Sequence, residues 1–117
     1  MPSDTARATV APYAAFIARP ADAVAQDLES YAQLLAKWQS VQNLVSRETL
    51  PDVWTRHIAD SLQILRRLLP GDRRFLDLGS GGGLPAVPLA SARKGARDLR
   101  LVLLEANGRK VSFLRTV

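Results

Sequence analysis

Five small residues in a row, Gly79-Ser80-Gly81-Gly82-Gly83, follow directly on the apolar run Phe75-Leu76-Asp77-Leu78. Glycine lets backbone approach a ligand closely, and a loop between a strand and a helix aims helix N–H groups at whatever sits there. Such a run loses too much backbone entropy on folding to serve only as a turn. Asp77 stands two residues before Gly79, and Glu105 stands twenty-two residues after Gly83. An ionised carboxylate is acceptor-only with two oxygens, so Glu105 at the end of a following strand can accept from both hydroxyls of a ribose. Glycines and distant acid together point to a nucleotide cofactor. The dinucleotide fingerprint G-x-G-x-x-G places its third glycine at the sixth position of the motif. Gly79 and Gly81 fit that pattern, but its sixth position is Leu84. What stands here is an acid followed by G-x-G-x-G.

The elements that must position these residues can be read from apolar spacing. Phe75–Leu78 is a short strand, and a helix is expected from about Pro85 to Ala92, with Pro88 tolerable because it falls in the first turn. After Gly95, the near-continuous apolar run Leu99–Leu104 reads as a strand buried on both faces of a parallel sheet. Asn107-Gly108 turns the chain, and a helical pattern starts at Arg109. Strand, glycine loop, helix, strand, helix is one βαβ unit with the opening of its next helix, so the sheet is expected to be parallel with a right-handed crossover. Upstream, Val24, Leu28, Tyr31, Leu34, Leu35, Trp38 and Val41 recur at helical steps behind Asp22 as a cap, giving a helix over 22–41. A second helix begins at Pro51-Asp52, carries Val53, Trp54, Ile58, Leu62, Leu65 and Leu69, and stops at Pro70-Gly71-Asp72. Trp38 and Trp54 belong to the core stripes. Residues 1–21, rich in Ala, Pro, Thr and Ser, are expected to form a flexible arm. The predicted organisation is therefore an arm (1–21), a helical segment (22–72) and the first half of an α/β domain (73–117).

Composition narrows the function classes. The 117 residues suffice for one domain, and 47% are hydrophobic against 23% charged, as in an ordinary globular chain. The absence of cysteine removes disulfides and thiolate metal sites, and a single histidine is too few for a histidine zinc site, so no metal is expected. No stretch approaches the ~20 apolar residues of a membrane span, and the N-terminal apolar run makes a poor signal peptide, so a cytoplasmic location is expected. The charge is uneven. Residues 1–65 carry five basic and seven acidic residues, whereas residues 66–117 carry eleven basic and four acidic. A positive field on one half favours a polyanionic partner.

Four segments occur in one order: Tyr31-Ala32-Gln33-Leu34-Leu35-Ala36-Lys37-Trp38 with Asn43-Leu44; His57-Ile58-Ala59-Asp60-Ser61-Leu62; Asp77-Leu78-Gly79-Ser80-Gly81-Gly82-Gly83-Leu84-Pro85; and Glu105 with Arg109-Lys110 and Phe113-Leu114. From residue ~28 onward the sequence resembles the bacterial small-subunit ribosomal RNA guanine-N7 methyltransferases, also called glucose-inhibited division protein B. The resemblance implies N-terminal helices followed by the start of a class I, Rossmann-like methyltransferase domain, cut short after its first βαβ unit. It implies S-adenosylmethionine as cofactor, with Asp77, Gly79, Ser80, Gly81, Gly83, Leu84 and Glu105 around it. It also implies ribosomal RNA of the small subunit as partner, met by Arg109 and Lys110, and a monomeric full-length protein. His57, Asp60 and Ser61 share one helical face and would shape the pocket or the RNA entrance. Guanine N7 carries an exposed lone pair and needs no deprotonation, so positioning should suffice and no residue is assigned as a general base. Ala86 departs from the family pattern, which has glycine after the loop proline. A dinucleotide-binding oxidoreductase half-domain and a non-catalytic fragment with exposed apolar edges are the alternative readings.

Overall fold

The computed structural model describes residues 1–69, 71–95 and 99–117. Helices α1 (Asp4–Val10), α2 (Ala21–Gln39) and α3 (Ala59–Leu62) precede the unit β1 (Arg74–Leu78), α4 (Ala86–Arg93), β2 (Arg100–Leu104), α5 (Gly108–Thr116). The two strands pair in parallel, with Arg74 opposite Arg100 and Leu78 opposite Leu104. Parallel pairing through α4 is what the order of apolar runs required. Among the described residues, no helix is long and apolar enough to cross a membrane. Pro70, read as part of a helix stop, lies outside the described residues; Asp72 Oδ2 accepts from Leu69 N at 2.7 Å.

The first twenty-one residues are not a flexible arm. Ser3 caps α1 by accepting from Ala6 N, and a 3-10 turn over Ala11–Phe16 follows with Pro12 near its start. Ala6, Val10 and Tyr13 form a stripe at helical spacing and are buried in the main core. The prolines lie where a missing N–H does no harm: Pro12 in a first turn and Pro20 at the start of α2. Asp22, expected as the cap of α2, instead lies inside its first turn and pairs with Arg7 at 3.4 Å.

The segment expected as one helix over 51–69 changes its winding three times. A 3-10 turn at Leu50–Asp52 leads into a π turn at Trp54–Ile58, then α3, then 3-10 again over Gln63–Arg67. The spacing of the buried residues explains the order. Val53 and Ile58 are five apart, Ile58 and Leu62 four apart, and Leu62 and Leu65 three apart, and all four are buried. A π turn keeps i and i+5 on one side, an α turn i and i+4, and a 3-10 turn i and i+3. The backbone winds to keep one apolar seam facing the core.

The sheet departs from expectation in its cover. Phe75, Asp77, Leu101 and Leu103 are half-buried on the face toward the helices, and Phe75 and Leu101 line a small apolar gap with Leu89 of α4 and Leu68. On the other face Leu76, Leu78, Val102 and Leu104 are 61%, 68%, 48% and 58% exposed. β2 is therefore not buried on both faces. In strands only alternate residues share a face. The helices reach one set, so the apolar run is divided into a covered half and a bare half.

Candidate cofactor loop and adjoining cavity

The glycine loop leaves β1 and folds back onto the end of β2. Gly79 N and Ser80 N both donate to Leu104 O, at 2.8 and 3.1 Å, and Gly83 N donates to Ser80 O at 2.7 Å. Gly81 N donates to Glu105 Oε1 at 2.7 Å, while Asn107 N donates to Oε2 at 2.9 Å. The distant acid thus sits directly on the loop, as the spacing required of a shared site. Each Glu105 oxygen accepts one backbone N–H and keeps its remaining lone pair for another donor. Those two N–H groups, foremost that of Asn107, hold the Glu105 carboxyl below the ordinary carboxylate range.

Gly81 and Gly83 have φ of +53° and +91°, a region that L side chains rarely adopt. At Gly83 a Cβ would also stand 2.6 Å from Val87 Cγ2 and 3.1 Å from Leu114 Cδ2, so the loop lies flat between α4 and α5. Gly82 has the same tightness from the other side, where a Cβ would meet Leu44 O at 3.0 Å and Leu35 Cδ2 at 3.3 Å. Around Gly79 there is open space. The loop is wedged at its far end and open at its near end.

Two residues whose role the spacing did not reveal hold this wedge. Tyr31, on the buried stripe of α2, donates its hydroxyl to Gly82 O at 2.5 Å. Burial, with a smaller contribution from the Asp77 charge, pushes that phenol far above its ordinary range, so it remains a donor. Gln39, at the end of α2, accepts from Leu44 N at 2.9 Å through Oε1 and donates to Val45 O at 2.9 Å through Nε2. It fixes the Asn43–Val45 segment against Gly82. Tyr31 reads from sequence as a core aromatic, and only the fold shows where its hydroxyl goes.

Asp77 is half-buried overall, yet its Oδ2 is buried without a hydrogen-bond partner. Burial raises its pKa, against bonds from Ser80 and the Ala86 amide, and the nearby Glu105 charge raises it further. Ser80, expected among the cofactor contacts, is buried and turns its hydroxyl to Asp77 O at 3.1 Å, so its side chain supports the loop rather than lining an opening. Ala86 is buried at the start of α4, where its methyl joins the packed interior.

The other expected residues form a separate feature. Leu84 and Pro85 leave the loop and line an open cavity of about 480 Å³, which Arg56, His57, Asp60 and Arg67 also line. His57 Nε2 lies 2.7 Å from Thr49 Oγ1, and that hydroxyl donates to Ser46 O at 3.1 Å. Ser61 also borders the cavity, but its hydroxyl donates back to His57 O at 2.7 Å within the helix. Arg109 and Lys110 open α5, with their amides capped by Asn107 Oδ1 at 3.0 and 3.2 Å, and the Lys110 charge acts on Glu105. The structure thus brings Asp77, the glycines, Glu105 and Lys110 together, and sets His57, Asp60 and Ser61 beside Leu84 in the neighbouring cavity. Trp38 packs edge-on against Phe113 at 5.6 Å, and Trp54 packs against the core.

The family described as rRNA small subunit methyltransferase G matches residues 24–117, a stretch that takes in most of α2, the cavity wall, the loop and Glu105. The chain belongs to this family. It is 54% identical over 89 residues to a ribosomal RNA small subunit methyltransferase G of Methylobacterium nodulans, covering 75% of this chain and 42% of that protein. Proteins of the same name from Nitrobacter hamburgensis and Rhodopseudomonas palustris are each 50% identical over 88 residues, covering 75% of this chain and 34% and 37% of theirs. The chain spans about two fifths of the length of the first of these relatives. Its helices and parallel strand pair are the start of the family's Rossmann-like class I methyltransferase fold.

Proposed function

We propose that the loop of residues 77–83, with Glu105, is the S-adenosylmethionine site of an enzyme that methylates guanine N7 in small-subunit ribosomal RNA. The observation that carries this reading is the charge and hydrogen-bond state of the loop. Of the five amides at residues 79–83, those of Gly79, Ser80, Gly81 and Gly83 are already occupied by Leu104 O, Glu105 and Ser80 O. A pyrophosphate needs free N–H groups and a positive field. This loop leaves only the Gly82 amide without such a partner, and two carboxylates face it. A cationic ligand suits the same surroundings: a positive group near Asp77 would compensate the buried, unpartnered Oδ2 and draw its carboxyl back toward the ionised form.

The residues present fit the cofactor on these grounds. Asp77 would attract its cationic amino-acid end, the open backbone at Gly79 and Gly81 would admit it closely, and the free lone pairs of Glu105 would accept its ribose hydroxyls. Ser80, Gly83 and Leu84 would hold the loop in shape. S-adenosylmethionine, when bound, supplies a methyl group on a sulfonium centre. The chain's own work is to bind and orient, because N7 already carries the attacking lone pair. His57, hydrogen-bonded through Nε2 to Thr49 Oγ1, fits a positioning role. Arg109 and Lys110 would meet RNA phosphate, in keeping with the basic second half of the chain.

Isothermal titration of the chain with S-adenosylmethionine and with NAD tests the assignment. Binding of the former, abolished in Asp77→Ala and weakened in Glu105→Gln, is the expected result. Tight NAD binding, or no response to either compound, would overturn it.

A further inference from the structure

The cavity beside the loop has a composition that the cofactor site leaves unexplained. Arg56, Asp60 and Arg67 lie at steps of four and seven residues along the irregular helical segment and line the cavity together with Leu84 and Pro85. The π turn at Trp54–Ile58 sets the register at which Arg56 and His57 enter this wall, and such turns recur at functional sites. Asp60 is exposed to the cavity, and its carboxylate has no hydrogen bond or ion pair among the described residues. A bare anion would gain from the arginines and be repelled by the carboxylate between them. A ligand that suits the whole wall must be anionic at its ends and present hydrogen-bond donors at its middle.

We infer that this cavity receives an unpaired guanosine of the RNA substrate, with the Asp60 carboxylate reading the base and Arg56 and Arg67 holding the flanking phosphates. The inference rests on the RNA-methyltransferase reading above and assigns the base to a place in it. A carboxylate is acceptor-only, and guanine alone among the four RNA bases offers two adjacent donors on its pairing edge, N1–H and the N2 amine. Adenine presents an acceptor at N1 and is repelled there. Gripping guanine by that edge leaves the opposite edge, which carries N7, unobstructed. Leu84 and Pro85 supply an apolar wall for the ring next to the loop that would hold the cofactor, and the splaying-out of a base is the usual route by which proteins reach one in folded RNA.

The test is fluorescence anisotropy of the full chain with short single-stranded uridine oligonucleotides carrying one central guanosine, inosine or adenosine, beside an S-adenosylmethionine titration of the same samples. The wild-type chain should bind the guanosine strand roughly tenfold more tightly than the inosine strand, which lacks the N2 amine, and tighter still than the adenosine strand. Asp60→Asn should erase the preference while leaving adenosine binding unchanged or stronger, since one negative charge has left the wall. Arg56→Gln and Arg67→Gln should weaken all three strands alike. Equal binding of the three strands by the wild-type chain, a preference that survives Asp60→Asn, or no binding of any strand would overturn the inference. The wild-type base series does not depend on any variant folding. A guanosine preference without cofactor binding would support this site and count against the cofactor reading, so the two failures are distinct.

Discussion

Both faces of the β1–β2 pair carry large apolar side chains, and these have opposite fates. On one face, Phe75 and Leu101 are half-buried beside Leu89 of α4, and the loop end at Gly82 and Gly83 is wedged against Leu35, Val87 and Leu114. On the other, Leu76, Leu78, Val102 and Leu104 face outward as a contiguous apolar patch. The covered face holds Asp77, whose charge is felt by Tyr31. Hydrophobic sequence alone therefore does not determine burial; the reach of neighbouring helices does. The difference also separates functions: close packing fixes loop geometry on one side, while the bare side can contribute little to it.

Changes on the covered face should break the molecule first. Phe113→Ala removes a fully buried ring that touches Tyr31 and Trp38, and an expected loss of about 3–5 kcal/mol would be seen in urea unfolding. Gly83→Ala combines a positive φ with a Cβ 2.6 Å from Val87, so a loss of about 2–4 kcal/mol is expected, together with lost cofactor binding. A wild-type midpoint for either variant would show that the loop is not wedged as described.

Smaller effects sharpen the contrast through pH. Glu105 has a lowered pKa in the fold, so its contribution is present above the ordinary carboxylate range and is lost as pH falls through the lowered value. Asp77 has a raised pKa, so ionising it costs stability as pH rises from the ordinary aspartate range toward that value. Melting curves from neutral down to pH ~3 should show Glu105→Gln with a shallower acid-side decline and Asp77→Asn stabilised at neutral pH. The same sign for both variants would mean that the two carboxylates do not have opposed environments. Least of all, Leu76→Thr and Val102→Thr on the bare face should shift stability by no more than about 0.5 kcal/mol, while lowering self-association in sedimentation. A large destabilisation there would mean that the face is covered in solution.

Much of this was legible in the chain itself. An acid before G-x-G-x-G, a second acid at the next strand end and the alternation of apolar runs were enough for the βαβ unit and for Glu105 on the loop, because short-range spacing fixes which residues reach a strand's end. The helical spacing of Val24 to Val41 likewise placed Tyr31 on the core stripe of α2. Other features depended on packing between distant segments. The Ala6–Val10–Tyr13 stripe looked like an arm because its prolines masked a helix that gains stability only by docking on α2. The three windings over 50–67 depended on holding Val53, Ile58, Leu62 and Leu65 against one core, which a uniform helical period cannot express. The Tyr31 hydroxyl on Gly82, the Gln39 clamp on residues 43–45 and the bare face of the sheet were likewise decided by tertiary structure. Each is a matter of which groups meet across long sequence separations, and local patterns of polarity carry no record of that.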